Sequence, residues 1–240
     1  MTRPSRMERD LGWDGSYNAR DLGGLPTADG RAVRWGAVVR SEEPRLFTES
    51  GWRSLREHGV RTIVDLRNDD ERGGTRAGDG IDVVHAPLDP VGDDFWTHYA
   101  ETGLHATPLY YRDLLDRRPD LVVTAVRAVA GARPGGVLVH CASGRDRTGL
   151  LVLVLLSLAG VPGTAIADDY ELSRERLRPL WTRLGRPDDE PKILDLHSRH
   201  GTTPRKAFLD VYASLDAEAL LRDGGVDDAE ITAVRHRLVA

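Results

Sequence analysis

The stretch HCASGRDRTG, residues 140–149, holds the only cysteine in the chain. Three chemistries are open to Cys141: a buried structural thiol, a redox or metal ligand, or a nucleophile. A lone cysteine beside apolar residues is ordinarily a small core hydrophobe. One cysteine also excludes an intramolecular disulfide and any zinc site that needs several thiolates. The neighbours favour the nucleophile. Arg147 stands six positions on, and a tight loop would bring its planar fork over a bound oxyanion, where it can hold two oxygens. Gly144 lets the backbone turn sharply. The successive N–H groups of Ala142, Ser143, Gly144 and Arg145 can then converge on one point, with the positive end of a helix behind them. The same field stabilises a thiolate: a free cysteine titrates near about 8.5, and helix N-termini or cations lower this to roughly 3.5–7.5. A thiolate beneath a phosphate-shaped cradle suits attack on phosphorus and departure of an alkoxide or phenoxide. Thr148 follows the arginine, and its hydroxyl suits either a bond to the thiolate or a local bond in the first helical turn.

Such a loop needs a strand before it and a helix after it. The run GVLVH, Gly136 to His140, is nearly all apolar, as expected of a central parallel strand covered on both faces. Leu150 to Val161, LLVLVLLSLAGV, reads as a helix buried on most sides and is much shorter than the roughly 20 residues that span a bilayer. Cys141 therefore lies at the carboxyl end of a strand, the edge at which ligands bind in open α/β sheets. Further strands are expected at Ala32 to Arg40, Arg61 to Leu66 and Ile81 to Pro87. Helical spacing appears in SGWRSLREHGV and in PDLVVTAVRAVAGARPGG, the latter with Pro119 near its start and Gly131 at its end. Strands alternating with helices predict an α/β fold with a central, mostly parallel sheet flanked by helices. After Gly160 the chain reads as helical: TAIADDYELSRERL, TPRKAFLDVYASLD and DDAEITAVRHRLV are candidate helices, with GRPDDEP, Gly185 to Pro191, as a loop between them. No repeat or linker interrupts the pattern, so residues 1–240 are expected to form one domain with a helical C-terminal segment and a flexible stretch at 1–10.

The 240 residues carry a net charge of -5, with 40% hydrophobic and 30% charged residues, which suits a substantial core under a mildly acidic surface. Arginines are numerous but form no basic block, so nucleic acid is not an expected partner. The opening MTRPSRMERDLGWDG has no apolar core and does not read as a secretory signal. The expected compartment is the cytoplasm, without stable membrane insertion. Rhodanese-type sulfur carriers and cysteine-based arsenate reductases also place a thiol under an anion cradle, but the reductases usually need further thiols, and this chain has none.

With these residues in view, HCASGRDRTG resembles the signature loop of the cysteine-dependent protein tyrosine phosphatases. More narrowly, the chain is similar to the bacterial family related to a secreted mycobacterial phosphatase. NARDLGG (Asn18 to Gly24), VVRSEEPRLFTESGWRSLREHGVRTIVDLRNDDER, DDYELSRE and GGVDDAEITAVRHRL fit that family in the same order. Ser143 stands where the family often has Ala, and Arg145 where many members and the phosphoinositide phosphatases have Lys. The resemblance implies a tyrosine phosphatase-like fold and a metal-independent hydrolase without cofactor, acting on a phosphorylated protein or phosphoinositide through a phosphocysteine. Cys141 would be the nucleophile, Arg147 with the amides of Ala142 to Arg145 the phosphate site, and Asp146 the acid for the leaving oxygen. Asp89, Asp93 and Asp94 are the competing acids. His140 would order the loop, or be a plain buried histidine. NARDLGG is expected as a buttress near the site, Arg20, Arg40 and Arg67 at its entrance, and Phe95, Trp96, Tyr99, Tyr110 and Tyr111 either as a lid or as core. A phosphate-binding module without catalysis and a lipid-phosphate phosphatase are the alternative readings.

Overall fold

The computed structural model describes residues 9–73 and 80–239. Most of the stretch expected to be flexible, residues 1–8, lies outside them. Arg9 and Asp10 are tied down: Arg9 donates to the carbonyl of Asp21 and to the carboxylate of Asp169, and Asp10 bridges Arg20.

Among the described residues five strands, β1 (Arg20–Asp21), β2 (Val38–Ser41), β3 (Val60–Asp65), β4 (Asp82–His85) and β5 (Gly136–His140), form one sheet in the order β1-β2-β5-β3-β4. Only β1 runs antiparallel to its neighbour. The fold is thus the expected α/β architecture. Val137 and Val139 belong to the core cluster on one face of the sheet, and Leu138 to the cluster on the other. This period of two, with every residue of β5 buried, is what a strand covered on both faces requires.

The helices are α1 (Glu49–Glu57), α2 (Asp94–Thr102), α3 (Tyr111–Arg117), α4 (Pro119–Ala130), α5 (Asp146–Leu158), α6 (Gly163–Arg183), α7 (Glu190–Arg199), α8 (Pro204–Ser214), α9 (Ala217–Asp223) and α10 (Asp228–Leu238). Leu150 to Leu156 are all fully buried, so α5 runs through the core with no polar face in that stretch. No helix among the described residues is long and apolar enough to cross a membrane.

Some boundaries differ from the sequence expectation. The expected strand 32–40 shortens to β2 because Trp35 and Gly36 turn, Gly36 with φ +70°. Helix α6 continues through Pro179 to Arg183, and Glu190 and Pro191, expected in a loop, open α7, where proline needs no N–H partner. Helix α9 was not expected; it is seven residues long and capped by the Asp216 side chain on the Ala219 N–H.

Candidate active site

The carboxyl ends of β2, β3, β4 and β5 meet at one edge of the sheet. Ser41 and Asp65 both pair in register with His140, the last residue of β5. From those ends come Glu42 and Glu43, then Arg67 and Glu71, then Asp89, and the loop from Cys141 to Arg147. Parallel pairing alone therefore gathers residues a hundred positions apart.

The loop is pinned from behind through its carbonyl oxygens. His140 Nδ1 lies 3.1 Å from the carbonyl of Cys141. The Glu43 N–H donates to Ala142 at 3.0 Å. Asn18 Nδ2 donates to Ser143 at 3.0 Å, and Arg40 Nη2 to Gly144 at 2.8 Å and Arg145 at 3.2 Å. The Tyr111 hydroxyl donates to Asp146 at 2.7 Å. With the carbonyls drawn back, the peptide units turn the other way: the N–H groups of Ala142 to Arg147 have no acceptor among the described residues. Buried donors of this kind are costly unless a ligand fills them, and a ring of them suits a tetrahedral oxyanion. Gly144 has φ +69°, and a Cβ there would lie 2.0 Å from the Ser41 carbonyl oxygen, so only glycine lets the loop pass so close to β2.

Behind the loop lies a buried ionic cluster. Asp169 of α6 pairs with Arg20 at 3.1 Å and with Arg40 at 2.8 Å, and it also holds Arg9. Arg20 donates further to the Asn18 carbonyl and side chain and to Ser173 Oγ. Burial opposes the Asp169 charge, but the three arginines outweigh it and hold the carboxyl well below the usual range. The expectation that Arg20 and Arg40 line an entrance is corrected here. Both are fully buried and act from the rear, while NARDLGG is the buttress it was expected to be. Its Gly23 admits Trp35, whose Cα would lie 2.6 Å from a Cβ there. Arg67 is also buried, paired with Asp65 and Glu43.

In front, Arg147 is held by Glu71, with Nη2–Oε1 at 2.7 Å and a second contact through Nη1. Asp89 approaches the same guanidinium at 3.1 Å. Burial works against the Arg147 charge, but Glu71, the Cys141 sulfur and Asp89 together keep it above the ordinary arginine range. Burial likewise raises the Asp89 carboxyl to about 6, with Arg147 opposing the shift and Glu71 adding to it. Cys141 is 3% exposed. Thr148 Oγ1 is buried with no hydrogen-bond partner among the described residues. His140 is neutral: burial pushes it down to about 4, against the pull of Asp65. Facing a carbonyl, its Nδ1 must carry the proton.

Asp146 and Arg145 are held by partners other than Glu71 and Asp89. Asp146 accepts from the Tyr170 hydroxyl at 2.8 Å and from Arg145 Nε at 3.2 Å. Arg145 reaches Asp189 at 3.3 Å and Glu190 at 3.8 Å, at the start of α7. Of the other carboxyls, Asp93 pairs with Arg118 at 2.6 Å and Asp94 is exposed at the start of α2. Trp96, Tyr110 and Tyr111 are buried in the main core, which makes them packing residues. Tyr99 packs against that core with its hydroxyl on Asp113, and Phe95 lies under the Arg117 guanidinium.

Sequence reasoning assigned no role to Glu71, Asp169, Asp189 or Glu190. Glu71 carried one usable signal: NDDE follows a strand and reads as a capping box, which Asn68 and Glu71 form. Nothing local marks Asp169 as a partner for three arginines.

A sequence model described as a tyrosine phosphatase family matches residues 11–240. A protein of Cupriavidus necator, named as a candidate tyrosine-protein phosphatase, is 34% identical over 70% of this chain, and the chain spans 64% of its length. The triple specificity protein phosphatase PtpB of Mycobacterium tuberculosis is 27% identical over 92% of this chain and 96% of its own. A tyrosine-protein phosphatase of Nostoc commune is 24% identical over 89% and 78%.

Proposed function

Since the chain belongs to the tyrosine phosphatase family, we propose that it is one phosphatase domain hydrolysing phosphate monoesters, phosphotyrosine foremost, through a phosphocysteine. The observation that carries this reading is the loop itself: six carbonyls drawn back by named donors, six N–H groups left facing inward, and Arg147 standing at its end. The loop amides and Arg147 bind the non-bridging oxygens. Cys141 Sγ attacks phosphorus, the phosphorus–oxygen ester bond breaks, and the leaving oxygen takes a proton from a carboxylic acid. Water then attacks the phosphocysteine, the carboxylate accepts its proton, and the thiolate departs with release of inorganic phosphate. The Thr148 hydroxyl, which has no partner among the described residues, suits stabilising that sulfur.

The proton donor is Asp146 by resemblance to the family. Its carboxyl is oriented by Tyr170 and Arg145, and orientation is what a general acid needs. A second reading is favoured by Asp89, whose buried carboxyl is raised to about 6 and stands 3.1 Å from Arg147. A donor must be protonated at working pH, and Asp89 meets that condition on the acidic side.

The test is phosphate release from phosphotyrosine in a strong chelator. Cys141→Ser should abolish turnover and still bind vanadate, because the amides and Arg147 remain while serine lacks a base to activate it. Substantial turnover by the serine variant, or activity lost to the chelator and restored by a divalent metal, would remove the cysteine mechanism.

A further inference from the structure

A cavity of about 260 Å³ lies beside the loop, touching Ala142 and Glu71 at one side and the end of α6 at the other. One wall is apolar: Leu46 comes from the turn after β2, Leu180 and Trp181 from the last turn of α6, and Leu184 from just beyond it. The three glutamates that line it are already engaged. Glu42 accepts the N–H groups of Tyr17 and Asn18, both at 2.8 Å. Glu43 pairs with Arg67 at 2.5 Å, and Glu71 with Arg147. Two arginines at the rim are not so held. The Arg45 side chain is 61% exposed, with its nearest carboxylate, Glu43, at 3.7 Å. Arg186 is exposed and forms no ion pair with any described residue. The cavity thus touches the loop at Ala142 and the Arg147 partner Glu71, and carries an apolar wall and two exposed arginines at its rim.

We propose that this cavity receives a phosphotyrosyl segment whose flanking residues are acidic, with Trp181 and its leucine neighbours against the ring and with Arg45 and Arg186 against the flanking carboxylates. The inference rests on the reading of the Cys141 loop as a phosphatase site. A phenyl ring gains from burial against leucine and indole, whereas a polyhydroxylated inositol ring has little apolar surface to bury. The cation nearest the loop on its other side does not compensate for an inositol ring's further phosphates. Arg145 is 7% exposed and already satisfied by Asp146, Asp189 and Glu190. Charge complementarity at an exposed rim sets preference and encounter rate more than affinity, so the effect belongs in the ratio of substrates.

The experiment compares kcat/KM for three phosphotyrosyl peptides that differ only in flanks of Glu, Ala or Lys, with a phosphoseryl peptide, a short-chain phosphoinositide and p-nitrophenyl phosphate alongside, all in chelator. The acidic peptide should exceed the alanine peptide by about five- to tenfold, the lysine peptide should fall below it, and added salt should compress the series. Arg45→Ala with Arg186→Ala should bring the acidic-to-neutral ratio close to one. Trp181→Ala should lower the phosphotyrosyl-to-phosphoseryl ratio. Ratios taken within one variant cancel any loss of folded protein. Equal rates for the three peptides, an acidic-to-neutral ratio unmoved by the double substitution, or the phosphoinositide preferred to the acidic peptide each overturn the proposal. Failure to hydrolyse p-nitrophenyl phosphate at all sinks the phosphatase reading with it; hydrolysis without flank preference sinks this inference alone.

Discussion

Arg40 Nη2 donates to the carbonyl oxygen of Gly144 at 2.8 Å, while its Nη1 holds Asp169 at 2.8 Å. One guanidinium therefore joins a loop peptide to helix α6 through the interior. Its positive charge also lies behind the loop, where it adds to the field that an oxyanion meets.

Arg40→Met keeps the aliphatic stem and removes the bonds to Asp169, Gly144 and Arg145. Breaking one partner of a buried ionic cluster costs on the order of 3–5 kcal/mol, so a large fall in melting temperature is expected. Tungstate should also bind more weakly to the folded fraction, because the Gly144 and Arg145 carbonyls lose their tether and their peptides can rotate. A stable variant with unchanged tungstate affinity would separate Arg40 from the loop.

The proton donor is distinguished by leaving group. A positioned acid contributes about 10²–10⁴ in rate, and most where the leaving oxygen is basic. Asp146→Asn should slow phosphotyrosine hydrolysis by an amount in that range, slow an ester of a very acidic phenol far less, and flatten the basic limb of the pH–rate profile. The reverse pattern, with the leaving-group dependence on Asp89→Asn, would assign the donor to Asp89. A melting curve for each variant separates lost chemistry from a loosened loop, since Asp146 also pairs with Arg145.

Asp89 makes anion binding depend on pH whichever acid is the donor. Its carboxyl is raised to about 6, so it is mostly neutral below that value and mostly charged above it. The new charge, 3.1 Å from Arg147, both competes for the guanidinium and repels an incoming oxyanion. Tungstate affinity should fall as pH rises through about 6, and titration calorimetry of Asp89→Asn should show a flatter profile. Identical profiles for the two proteins would show that Asp89 does not face the bound anion.

His140 links stability to pH in the same sense as a paired carboxylate, but in a higher pH window. Its folded value, about 4, lies below the ordinary 6.5 because burial disfavours the imidazolium. Between those values the unfolded chain binds the extra proton, so stability is complete above about 6.5 and is lost as pH falls toward 4. The contribution across that window is about 3 kcal/mol. Asp65, Arg67 and Arg147 are the charged groups that face the ring. Chemical denaturation of His140→Asn across the window should show a shallower loss than the parent; an equally steep loss would place the linkage on other groups.

What was legible in the sequence was local. Cys141, Gly144 and Arg147 lie within one turn, and the apolar runs on either side announce a buried strand and a buried helix, so spacing sufficed to predict a strand, an anion loop and a helix in that order. The α/β class followed from the same periodicities. Only the tertiary structure decided which distant residues hold the loop and face the anion. Arg40 and Arg67 read as surface cations because most arginines are; their burial depends on Asp169, Asp65 and Glu43, brought to them by sheet register and by the packing of α6. The aromatics near residue 100 look the same in a lid as in a core until a neighbouring face exists to cover Trp96 and Tyr110. Asp89 and Asp94 are both plain aspartates in one short stretch. They differ because one emerges at the crowded carboxyl edge of the sheet, where burial raises its carboxyl beside Arg147, and the other stands exposed at the first turn of α2. Burial and long-range pairing are properties of neighbours in space, and the order of residues along the chain does not contain them until the chain has folded.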